Sequence, residues 1–342
     1  MLLVAASTGG TAQAADPAPP GFFGVSGVHL DAGDLDAMED ANVGVYRSLF
    51  HFRLAKPSQH ANFDFTEFDK LVGRTAAHDI QLLPLIFGTP KWISSNAAAP
   101  PIYTDSARAA WTRLLTQLVK RYGPRGIYWR LHPLTPRRPI TTWQIWNEPN
   151  SYSFWGSDPS PKGFAKLMAL SAFAIRRIDP TATIVSGGIT ANPEGIGGMP
   201  GATFLQRLAA LPAARAAIDK YGYHPYAENA AAVRDELVAA RRAIAANDPG
   251  APIWVTEVGW GSDFLLGNIL LKTPEGQAQA LRSTFSMILA KRQRLGIQRA
   301  LWYYWRDAGA RFCIWCRSAG LLEPDHTPKP AYAVFRALAV RP

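Results

Sequence analysis

Two hydrophobic periods alternate along this chain. Short apolar runs at 22–28, 43–50, 80–87, 183–186, 221–224 and 300–305 predict strands buried on both faces. Two further runs of the same kind, 141–148 and 253–258, each carry one glutamate near the C-terminal end, Glu148 and Glu257. Between the strands the period changes to that of a helix. Trp111, Leu114, Leu115, Leu118, Val119 and Tyr122 share one face, and so do Val233, Leu237, Ala240 and Ile244. Further helices are predicted at 35–41, 65–78, 162–178, 203–218 and 330–338, and one opens at Pro274, where proline suits the first helical position. Eight strands alternating strictly with eight helices predict an α/β fold, a (β/α)8 TIM barrel forming a single domain over 21–342. A doubly wound open sheet would place a phosphate loop after its first strand, and none is present. Gly195-Ile196-Gly197-Gly198 lacks the dinucleotide spacing and reads as a loop.

Barrel enzymes carry their active groups at the C-terminal ends of the strands. Glu148 and Glu257 are both placed there. Pro149 is expected to push Glu148 into an extended conformation. A carboxylate at the tip of an apolar strand must be hydrogen-bonded, paired or used. For one Glu-Pro the ordinary reading is a capped turn or a surface ion pair. Two such glutamates suggest the pair that splits a glycosidic bond, one as acid and base, the other as nucleophile.

Trp146-Asn147-Glu148-Pro149-Asn150 and Trp254-Val255-Thr256-Glu257-Val258-Gly259-Trp260 resemble the retaining glycoside hydrolases of clan A. With Phe154-Trp155-Gly156 following, the chain is similar to glycoside hydrolase family 39 from about 21 to 339, with a family 5-like constellation of site residues. The resemblance implies Glu148 as acid/base and Glu257 as nucleophile. It implies that Asn147 bonds the sugar 2-hydroxyl, that His224 and Tyr226 position the nucleophile and that Arg47 supports it. It also implies that Trp92 lines the cleft and that Trp305 stands at the sugar-cleaving subsite. Side-chain alternation makes Tyr303 a competing inward residue. Trp155, Trp260 and Phe264 are candidates for stacking on sugars, or for the core. Where several clan members have a histidine after the third strand, this chain has Phe87-Gly88-Thr89. A clear extra β-sandwich, which many family 39 xylosidases carry, is also missing, so xylosidase specificity is not carried over.

Composition adds limits. Formal charge is +10, which would suit nucleic acid or an anionic polysaccharide, yet no nucleic-acid module is readable. The local cluster Arg125, Arg130, Arg137 and Arg138 reads as a solvated loop, with attraction of an anionic glycan as the lesser reading. No apolar run reaches the length of a membrane span. Residues 1–15 are small and apolar, and Ala12-Gln13-Ala14 resembles a signal-peptidase site. Residues 1–20 therefore read as a signal-peptide remnant and linker, and the protein as secreted. The two cysteines, Cys313 and Cys316, suit a local disulfide after export. A reduced pair, a metal site and a redox pair are the alternatives. The seven histidines form no metal-binding spacing, so neither cofactor nor metal is expected. The expected activity is hydrolysis of an oligo- or polysaccharide. A transglycosidase with the same glutamates and a glycan-binding pseudoenzyme are the rivals. The sequence gives no oligomeric state.

Overall fold

The computed structural model describes residues 17–27, 30–193, 197–307 and 313–340. The expected signal peptide, residue 28 of the first predicted strand and residues 194–196 of the Gly-rich loop lie outside them. Eight parallel strands close into a barrel in chain order. They are β1 Phe23–Gly27, β2 Val45–His51, β3 Gln81–Phe87, β4 Thr142–Asn147, β5 Thr183–Thr190, β6 Tyr221–His224, β7 Ile253–Val258 and β8 Ile297–Tyr303. The barrel closes where Val25 of β1 pairs with Trp302 of β8.

The described helices are α1 Ala32–Asp40, α2 Phe52–Ala55, α3 Thr66–Ala77, α4 Asp105–Tyr122, α5 Ile127–Leu131, α6 Tyr152–Trp155, α7 Pro161–Arg176, α8 Gly201–Ala209, α9 Pro212–Ala217, α10 Ala230–Ala245, α11 Pro274–Leu295 and α12 Pro330–Leu338. The single helix predicted at 203–218 is two. Pro212 lacks the amide hydrogen that would continue the first helix and opens the second instead. α4 starts where the Thr104 side chain accepts from the Ala107 amide. α11 starts at Thr273 in the same way and stops at Gly296, whose left-handed φ of 64° a glycine adopts without strain.

The molecule has two apolar cores. Val45, Leu83, Val185, Trp254 and Leu301 cluster together, each contributed by a different strand. A far larger shell lies between the strands and the helices. Of the eleven tryptophans, nine are buried: Trp111, Trp129, Trp143, Trp146, Trp155, Trp254, Trp260, Trp302 and Trp305. Trp92 and Trp315 are the two that are only partly buried, and both lie in the segments that follow the C-terminal ends of strands. Buried polar residues, among them Ser26, Arg47, Gln144, His224 and Thr256, lie in the strands beside the apolar cluster and toward those same ends.

Candidate active site

Glu148 and Glu257 meet at the barrel mouth. Both are buried, and one carboxylate oxygen of each lies within 4.8 Å of the other and of a ring nitrogen of His224. The backbone departs from regular strand geometry to bring them there. At the end of β4, Trp146 and Glu148 take left-handed φ values of 72° and 37°. The extended conformation expected of Glu148 ahead of Pro149 is therefore corrected. Its amide is bonded to the Gly188 carbonyl at 3.0 Å, so the neighbouring strand overrides the local preference. Left-handed non-glycine residues cost about 1–3 kcal/mol each and gather at functional sites. On β7 the pairing with β8 shifts register between Val255 and Val258, across Glu257. Such irregularities re-aim side chains beside active sites.

Arg47 of β2 holds one side of the pair. Its guanidinium reaches Glu257 Oε1 at 2.5 Å and donates to Asn147 Oδ1 at 2.9 Å. Its Nε donates to Gln144 Oε1. The amide of Gln144 is thereby oriented, and its NH2 donates to the Ser186 carbonyl at 3.0 Å and to Thr256 Oγ1 at 3.2 Å. Thr256 lies 3.0 Å from His224 Nε2, and His224 Nδ1 lies 2.9 Å from Glu148. Nδ1 of His224 faces the Glu148 carboxyl and Nε2 faces the Thr256 hydroxyl, so the imidazole bridges the two. Tyr226 donates its hydroxyl to Glu257 Oε2 at 2.7 Å. A continuous buried network thus joins the partner of one glutamate to the partner of the other.

The two carboxyls are held unequally. Burial pushes Glu148 up, the hydrogen bond and charge of His224 pull it down, the charge of Glu257 pushes it up again, and the outcome lies above its ordinary value of 4.5. Burial also pushes Glu257 up, but His224, Arg47 and the Tyr226 hydrogen bond outweigh it, and the outcome lies below 4.5.

Two glycines make room for imidazoles. A Cβ on Gly188 of β5 would stand 1.9 Å from His224 Nε2. One on Gly88 would stand 2.3 Å from His51 Cε1. The end of β3 thus carries no histidine of its own, but it admits one from the end of β2. Burial, and then the charge of Arg53, lower His51 to about 4.

Other expected site residues are placed differently. Trp305 is directed away from the glutamates: its Nε1 donates to Asp34 at 3.0 Å and its ring lies beside Tyr332 of α12. β8 ends at Tyr303, so the alternation that would have aimed Trp305 inward stops two residues earlier. The Tyr303 ring lies 6.3 Å from that of Tyr226, and the charges of both glutamates act on it. Trp92 is at the mouth, but its Nε1 donates to the Lys56 carbonyl and its ring meets Phe52 edge-on. Trp155 and Trp260 are core residues, while Phe264 is 63% exposed. Cys313 and Cys316 are joined by a disulfide. Gln144 and Thr256 were not singled out from sequence. Their signal was a polar side chain inside an apolar strand, two or more residues before its end.

Among the described residues, two groups have the spacing for a cation. In Asp31, Asp34 and His326, the guanidinium of Arg306 already bonds both aspartates. In Glu148, His224 and Glu257, the facing atoms are engaged with one another and with Arg47 and Tyr226.

No protein-family model and no curated protein matches the chain. Solved structures do. A family 39 glycoside hydrolase from the gut symbiont Bacteroides cellulosilyticus WH2 superposes with a TM-score of 0.70 at 21% identity, covering 94% of this chain and 63% of that one. A monomeric β-xylosidase from Caulobacter crescentus CB15 gives 0.66 at 18%, covering 95% and 69%. A GH5_18 protein from Bifidobacterium longum, in complex with Manβ1-4GlcNAc, gives 0.67 at 15%, covering 94% and 80%. The chain has the barrel fold of these glycoside hydrolases. It spans about two thirds of the length of the first of them.

Proposed function

We propose that the chain is a retaining β-glycosidase that cleaves an O-glycosidic bond in two displacements. The observation that carries this reading is the unequal carboxyl pair. Inverting enzymes separate their carboxyls by about 6.5–9.5 Å to admit a water, and retaining enzymes by about 5–5.5 Å. Oxygens of Glu148 and Glu257 within 4.8 Å of each other fall on the retaining side. Glu257, held anionic by Arg47 and Tyr226, attacks the anomeric carbon and forms an ester. Glu148, whose neutral form burial favours, gives a proton to the departing oxygen. Glu148 then takes a proton from water as the water attacks the ester, and Glu257 leaves as carboxylate.

Similar structures titled xylosidase, glucosidase and exo-β-1,4-mannosidase set the substrates to try. The 4-nitrophenyl β-xyloside, glucoside and mannoside form the panel. Proton NMR of the first product should show the β-anomer before mutarotation, and an α-anomer would refute the retaining reading. Glu148→Ala should retain the first step on these activated substrates and yield a β-glycosyl azide when azide is added. Glu257→Ala should be silent on all of them. The Cys313–Cys316 bridge supports export, since oxidising compartments preserve such bonds. Finding the chain in the cytosolic fraction with both thiols free would oppose it.

A further inference from the structure

Trp315 stands out among the tryptophans because it is half-buried at the mouth and none of its described contacts is with the helical shell. Its ring lies 4.9 Å from that of Tyr226, the tyrosine bonded to Glu257, and 5.4 Å from that of Tyr303. Tyr226 bonds Glu257, the charges of both glutamates act on Tyr303, and Trp315 lies against both rings. Its backbone is tightly located. It sits in a 3-10 turn, Trp315–Ser318, and inside the short ring closed by Cys313–Cys316. The Ser318 carbonyl accepts from Ser262, Gln277 and Lys329, which ties the turn to the loop after β7 and to α11 and α12. At Gly261 a Cβ would come within 2.5 Å of the Trp315 carbonyl, so the two loops are in contact. A large aromatic surface fixed this firmly, beside the nucleophile's own hydrogen-bond donor and still partly accessible, has the attributes of a ligand wall. Trp305 does not supply such a wall, since it is bound to Asp34.

We propose that Trp315 is a sugar-contacting residue of the cleft, its ring forming a wall against a pyranose beside Tyr226, and that the Cys313–Cys316 ring holds it in place. The proposal rests on the glycosidase reading. Pyranose rings present apolar C–H faces, and an aromatic surface in a partly desolvated cleft recognises them. The contact exists in the ground state and the transition state alike, so its loss should appear chiefly in KM.

The test uses the full chain and the 4-nitrophenyl β-glycoside that the wild type turns over fastest in the panel. Trp315→Ala should raise KM about tenfold with kcat within about threefold, and Trp315→Phe should recover most of the loss. The paired Cys313→Ser, Cys316→Ser variant should raise KM in the same direction by about threefold, which keeps the proposal open to test if Trp315→Ala fails to fold. In Glu257→Gln, tryptophan fluorescence should respond to the corresponding free monosaccharide, and Trp315→Ala in that background should abolish the response. A Trp315 that only props Tyr226 would give a different result. KM would hold, kcat would fall, and the acid limb of the pH profile would rise as Glu257 lost its hydrogen bond. That pattern, or an unchanged KM in both variants, would overturn the proposal. A wild type silent on the whole panel would instead count against the glycosidase reading itself.

Discussion

At the scale of single residues, the functional question is why two neighbouring glutamates differ. Arg47 and Tyr226 bond the Glu257 carboxyl, while among the described residues the hydrogen bond to the Glu148 carboxyl comes from His224. On the proposed double-displacement reading, with Glu257 as nucleophile and Glu148 as acid, the sign of the pH dependence follows. The nucleophile must be ionised, so activity falls as pH drops through the lowered value of Glu257. The acid must be protonated, so activity falls as pH rises through the raised value of Glu148. A plot of kcat/KM against pH should therefore be bell-shaped, with 4.5 inside the bell. Arg47→Met should move the acid limb up by about one to three pH units and the basic limb up by less, because Arg47 bonds Glu257 but acts on Glu148 through its charge alone. An acid limb unmoved by that substitution would detach Arg47 from the nucleophile. Gly188→Ala tests the other partner. Its new Cβ must displace the His224 ring, and a displacement near 1 Å at a catalytic group costs roughly 100-fold in rate. Gly250→Ala, which meets nothing within 4 Å, is the matched control.

Much of this constellation was legible in the sequence because short motifs carry it: Asn147-Glu148, His224-Pro225-Tyr226 and Glu257. Gln144 and Thr256 were not legible in the same way. Their role is to pass orientation between strands, and no local pattern announces a partner 112 positions away.

At the scale of elements, all eight strands match the expected order, four connections carry two described helices where one is expected, and the other differences cluster at strand ends. β5 runs to Thr190 rather than stopping at 186, because Gly187 and Gly188 interrupt the apolar pattern without interrupting the ladder. β8 runs from Ile297 to Tyr303 rather than from 300 to 305, and Trp305 turned outward as a result. Strand ends are also where loops are fixed, and the loop after β8 has an unusual anchor. Lys329 is buried and bonded to Asp307, Ser262 and the Ser318 carbonyl. Burial pushes Asp307 up to about 6 despite the pull of Lys329. A carboxyl raised in the folded state contributes fully below its ordinary 3.8, and that contribution declines as pH rises toward 6. Lys329→Met would leave the ionised carboxylate without its cation. We expect a loss of about 3–5 kcal/mol above pH 6, measured by denaturant unfolding. The loss should be smaller at pH 5, where Asp307 can take up a proton. Equal destabilisation at both pH values would show that packing, not charge, makes the anchor.

At the scale of the whole molecule, the local arginine cluster is separated from the site. The formal charge is +10, and the local arginine cluster lies in the segment leading into β4, at the N-terminal end of the barrel. There Arg125 donates to the Ile178 carbonyl, Arg137 to the Pro124 carbonyl, and Arg138 pairs with Asp79. Lys120, Arg125 and Arg177 line a cavity of about 280 Å³ on the same face. Glu148 and Glu257 open at the other end. A strand of six residues, such as β4 or β7, spans about 20 Å at ~3.3 Å per residue. The screening length at physiological ionic strength is about 8 Å, so little of the field from this cluster reaches the mouth. Arg47, beside the glutamates, is paired with Glu257. The kcat/KM for a neutral aryl β-glycoside should accordingly change less than about twofold between low salt and ~0.5 M salt, and a uronic-acid-containing substrate should show no steeper a dependence. Initial rates across a salt series check both. A steep fall for the acidic substrate alone would mean that cations elsewhere on the rim steer it, and would restore the anionic-glycan reading of the net charge.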